Sequence, residues 1–114
     1  MPRDLNNHNG ALDYLVNHLD IIGLERKNIA WIVTEPTIFH KGSMHNEQAC
    51  DVVVGYEIPY KHVDLIELKH STDMRGKARK QIYNTEKHLT SNWGYQVENK
   101  YLVIYPTFTF EKLT

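Results

Sequence analysis

Asp51, Glu67 and Lys69 are the residues of this chain whose types and spacing are best suited to chemistry. Two carboxylates with water suit a hard divalent cation, and magnesium in particular takes near-octahedral oxygen ligation while keeping several waters. Such an ion polarises a phosphoryl oxygen, lowers the pKa of a bound water and orients an in-line attack. A lysine beside it can orient the nucleophile or stabilise developing negative charge. Acids alone would repel a polyphosphate. A cation and a lysine together make an acidic pair compatible with DNA or RNA.

Strands must position these three. Successive side chains on a strand point to opposite faces. In HVDLIELKH, Leu65, Glu67 and Lys69 therefore share one face, and Ile66 and Leu68 the other. In CDVVVGYE, Asp51 shares a face with Val53. The intervening EIPYK holds Pro59 and reads as a turn, so the two strands form a hairpin that can bring Asp51 and Glu67 onto one face. Upstream, Leu12, Leu15, Val16, Leu19 and Ile22 recur at helical spacing and predict a helix over roughly residues 10–22, stopped by Gly23. IAWIVTEPTIF reads as a strand broken near Pro36, followed by a polar loop HKGSMHNEQ.

Downstream, DMRGKARKQIYNTEKHLT predicts a second helix over about residues 73–90, capped by Ser71 or Thr72. Met74, Ala78, Ile82, Thr85 and Leu89 form its sheet-facing stripe. Gln81 lies on that stripe too, and a polar amide there needs a partner, which the edge of the site can supply. Arg75, Lys77, Arg79 and Lys80 make the start of the helix basic and suited to phosphates flanking the site. SNWGYQVENK reads as a turn and YLVIYP as a buried strand, while the alternating TFTFEKLT fits either an edge strand or an extension across the sheet. The order α, β, β, β, α, β predicts one α/β domain over residues 1–114, a central mixed sheet flanked by helices.

Asp51 followed by Glu67-Leu68-Lys69, in this order of elements, resembles the PD-(D/E)XK, or restriction-endonuclease-like, nuclease superfamily. The resemblance spans nearly the whole chain and implies an αβββαβ core. It implies metal ligation by Asp51, Glu67 and the Leu68 backbone carbonyl, with Lys69 as the catalytic lysine and Gln81 as the added helical residue of several branches. Mg²⁺ or Mn²⁺ is the implied cofactor, and cleavage of DNA, with endonuclease action favoured, the implied activity. Two departures stand out. Cys50 precedes Asp51 where the superfamily motif has proline, and the first helix offers Asp13 rather than the glutamate many branches place there.

The competing reading of Glu67 and Lys69 is a solvated, salt-bridged strand face, and of the basic helix a solvated surface. A second alternative is a non-catalytic nucleic-acid-binding or assembly module that kept the fold. His40, His45 and Cys50 raise zinc, but neither a C-x-x-C nor an H-x-x-x-H pair supports it. The net charge of −1 does not advertise polyanion binding, so any basic surface is local. A lone cysteine, no apolar run of membrane length and no apolar signal region lead us to expect a cytoplasmic protein without an internal disulfide framework. Economy of size leads us to expect a homodimer or a partner protein.

Overall fold

Asn7 opens the first helix, its side-chain oxygen accepting from the Asn9 N–H at 2.8 Å and from the Gly10 N–H at 3.4 Å. In the computed structural model, which describes residues 4–36, 38–39, 46–47 and 49–113, this helix, α1, runs His8–Asn17. It tightens into a 3₁₀ turn at Leu19–Ile22, and Gly23 ends it at φ 86, a backbone conformation that glycine adopts without steric cost. The helix predicted over 10–22 is thus two pieces that bury one stripe: Ala11, Leu12 and Leu15, then Leu19 and Ile22.

Strands β1 (Trp31–Thr34), β2 (Ile38–Phe39), β3 (Asn46–Glu47), β4 (Val52–Tyr56) and β5 (His62–Lys69) follow. Helix α2 (Arg75–Trp93) leads to β6 (Gln96–Ile104) and β7 (Thr109–Lys112). The main sheet has the order β1-β4-β5-β6-β7; β5 and β6 are parallel and the other neighbours antiparallel. β2 and β3 pair by themselves. The chain is therefore an α/β fold with a five-stranded mixed sheet and two α-helices among the described residues. None of the described helices is long and apolar enough to cross a membrane.

Strand alternation divides the core into two. Val52, Val54, Ile66, Leu68 and Val103 face α1, and Val53, Leu65 and Leu102 face Ala78 and Ile82 of α2. The stretch QVENK, predicted as part of a turn, belongs to β6. Gly94, at φ 71, caps α2, and β6 begins two residues later with exposed Gln96 and Glu98 alternating with half-buried Val97 and Asn99, in the stretch that pairs with the start of β5. Sheet pairing outweighs composition there. A register shift between Val63 and Asp64 sits in that pairing, and buried Asp64 spans it by accepting from Asn99 N at 3.1 Å and Asn99 Nδ2 at 3.0 Å.

Candidate active site

The β4–β5 ladder ends at Val52 opposite Ile66, and just beyond it two carboxylates take over backbone hydrogen bonds. The Asp51 N–H donates to Glu67 Oε1 at 3.0 Å, and the Leu68 N–H donates to Asp51 Oδ2 at 2.8 Å. Each acid is thereby fixed by the other's strand at the fork where the strands part. In a strand the N–H and C=O of one residue leave by the same edge. The Leu68 carbonyl therefore also faces the fork, beside Asp51.

Helix α2 holds the approach to Asp51. Thr85, 1% exposed, accepts from the Cys50 N–H at 2.8 Å and returns its own hydroxyl proton to the Gln81 carbonyl at 2.9 Å. Gln81 Nε2 donates to the Ala49 carbonyl at 3.3 Å. The polar amide on the core-facing stripe thus finds its partner two residues before Asp51, as the sequence required. Cys50, buried at 1% exposure, is pushed up to about 12 by its burial, so its thiol stays protonated and inert at neutral pH.

Glu67 is 1% exposed. Burial first, and then the Asp51 carboxyl against it, push its pKa up to about 9, while Lys69 pulls it back. Lys69 Nζ lies 3.3 Å from Glu67 Oε2, yet that buried oxygen has no hydrogen bond, so the lysine eases ionisation of Glu67 without satisfying its geometry. On the opposite side His8, in the first turn of α1, places Nε2 3.2 Å from Asp51 Oδ2. Its ring meets Tyr105 edge-on, with centroids 6.0 Å apart. The Tyr105 N–H in turn donates to the Lys69 carbonyl at 3.0 Å.

The structure therefore brings Asp51, Glu67, Lys69 and the Leu68 backbone together, with Gln81 one step behind. Asp13 lines a neighbouring cleft of about 450 Å³ with Asn9, Leu12, Val16, Thr34 and Glu35, whose N–H donates to the Asp51 carbonyl at 2.6 Å. The basic residues of α2 divide by helical face. Arg75 forks onto Glu111 of β7, Nη2 to Oε2 at 3.2 Å, and that bond holds the Glu111 carboxyl below its ordinary range. Arg79 borders a groove with Tyr83, Lys100 and Leu113, on the β7 side. Lys77 is one turn before Gln81 and shares its face. His40 and His45 fall outside the described residues.

No family model matches the sequence, and no curated protein or solved structure matches the chain. The site has to be read from its own chemistry.

That chemistry suits a hard cation in part. Glu67 presents a buried oxygen that lacks a hydrogen bond, with the Lys69 ammonium 3.3 Å away, beside a second carboxyl, and a divalent ion would stabilise the two in their ionised form. Among the described residues no three His, Cys, Asp or Glu side chains converge on one point. An ion here would be held by two carboxylates, the Leu68 carbonyl and water, a sparse ligand set of the kind magnesium accepts. His8 and Thr85 were missed by sequence reasoning. His8 stands in a polar leader without periodicity, and Thr85 reads as one more member of an apolar stripe.

Proposed function

We propose that this chain is a divalent-metal-dependent nuclease with a restriction-endonuclease-like core, hydrolysing phosphodiester bonds in nucleic acid, with DNA favoured. One observation carries the reading. Asp51 and Glu67 meet at the fork of two strands, Glu67 with a buried, unbonded oxygen, and Lys69 stands 3.3 Å from it. A solvated salt-bridged strand face would not bury its glutamate to 1% exposure or leave it against a second acid.

Asp51, Glu67 and the Leu68 carbonyl would hold Mg²⁺ or Mn²⁺, which supplies Lewis acidity at the phosphoryl oxygen and a more acidic water. The chain's own residues do the rest. The Leu68 N–H fixes the Asp51 carboxylate, and the Asp51 N–H fixes Glu67. Lys69, with its side chain 17% exposed, keeps its ammonium at the mouth of the site. There it pairs with the scissile phosphate and with the negative charge that grows on it. Thr85 and Gln81 lock the segment before Asp51 to α2, so the two carboxylates enter the reaction already placed.

The test is a cleavage panel of single-stranded, duplex and branched DNA and RNA, each with Mg²⁺ or Mn²⁺, for the parent and Asp51→Asn. Metal-dependent cleavage that Asp51→Asn abolishes supports the reading. Salt-sensitive binding to these substrates without cleavage would instead favour a non-catalytic nucleic-acid-binding module.

A further inference from the structure

We propose that His8 is a positioning residue of this site: it pins the Asp51 carboxylate so that one oxygen is committed to the protein and the other is left for the cation. The proposal rests on the nuclease reading and adds to it a residue from α1.

Three observations place His8 in this role. First, Asp51 Oδ2 is approached from two directions, by the Leu68 N–H at 2.8 Å and by His8 Nε2 at 3.2 Å. Both contacts fall on Oδ2, and neither takes Oδ1. A carboxylate held only by Leu68 could still turn about its own bond; a second nitrogen from outside the sheet stops that rotation.

Second, His8 is itself held. Its ring lies edge-on against Tyr105, which is 8% exposed, and the Tyr105 backbone is bonded to the Lys69 carbonyl. The imidazole is thus braced against the residue that follows β6, whose backbone N–H holds the Lys69 end of β5. Third, its surroundings are not those of a core residue. The His8 side chain is 38% exposed, whereas Asp51 is 13% exposed. The fold gains little from its burial, so its placement answers to Asp51.

Asp13, the nearest acid on this helix, belongs to the neighbouring cleft. Side chains behind a metal ligand commonly set its orientation, and losing one costs about 10- to 100-fold in metal affinity.

The experiment is a Mn²⁺ titration of the full chain, with free Mn²⁺ read by electron paramagnetic resonance, for the parent, His8→Ala and His8→Gln. Thermal melts without metal run in parallel. The expected result is an affinity about tenfold weaker in His8→Ala. His8→Gln, which keeps an N–H donor on a side chain of similar reach, should bind within about threefold of the parent, and the metal-free Tm should be unchanged in both. Parent-like affinity in His8→Ala overturns the proposal and leaves the nuclease reading standing. Equal losses in Ala and Gln overturn it too, because they would mean that the imidazole binds the ion directly. A parent that binds no Mn²⁺ overturns both readings.

Discussion

Glu67 is the residue on which the electrostatics of the site turn. Burial and the Asp51 carboxyl raise its pKa from an ordinary 4.5 to about 9. Between those values the folded protein holds a proton that the unfolded chain releases. Its contribution to stability is therefore fully present below about 4.5 and is lost as pH rises through about 9. The metal-free protein should become steadily less heat-stable from pH 5 to pH 9, and saturating Mn²⁺ should reverse the loss by binding the ionised carboxylate. Glu67→Gln, a neutral isostere, should flatten the profile and raise the metal-free Tm at pH 8.5 by about 5 °C, the equivalent of ~1 kcal/mol in a small domain. It should also abolish Mn²⁺ binding. Differential scanning calorimetry across pH decides this, and a parent profile as flat as that of Glu67→Gln would show that Glu67 is ionised in the fold.

At the scale of elements, the site depends on the docking of α2 against the segment entering β4. Thr85 makes that link, accepting from the buried Cys50 N–H. Thr85→Val keeps the volume and removes the acceptor, which should cost about 1–3 kcal/mol because the N–H stays buried without a partner. Thr85→Ser should recover most of this. Urea unfolding measures both, and an unchanged midpoint in Thr85→Val would show that the link does not hold the segment. Much of this layer was legible beforehand. Strand alternation put Glu67 and Lys69 on one face because a period of two leaves no other choice, Asp51 could join them only if the hairpin paired in the right register, and Gln81 announced its need for a partner by its polarity. The ladder swap at the fork was not legible, since which backbone N–H a carboxylate accepts depends on where pairing stops. The start of β6 was hidden for a related reason. Its polar residues are admitted to the sheet by their parallel neighbour β5, not by their own propensity.

If the chain is the nuclease proposed, a molecule of net charge −1 has to meet a polyanion. Its positive charge must act locally, and the structure separates the basic residues of α2. Arg75 is engaged by Glu111 of β7, while Lys77 shares the face of Gln81, which leads to the site. Lys77→Ala should therefore lower the salt slope of nucleic-acid binding by about one unit, across sequences, without changing Mn²⁺ affinity. Arg75→Ala should move the slope less. Binding titrations at several salt concentrations test this, and a larger slope change in Arg75→Ala would put the nucleic acid on the β7 side of the helix. If the chain is the nuclease proposed, the two carboxylates and the lysine act as one hydrolytic centre. The most direct measurement is the single-turnover cleavage rate, with Mn²⁺, of the parent and Lys69→Ala on a substrate the parent cleaves. A fall of about 100- to 1000-fold in Lys69→Ala with Mn²⁺ affinity retained is the predicted result; cleavage at the parent rate would contradict it.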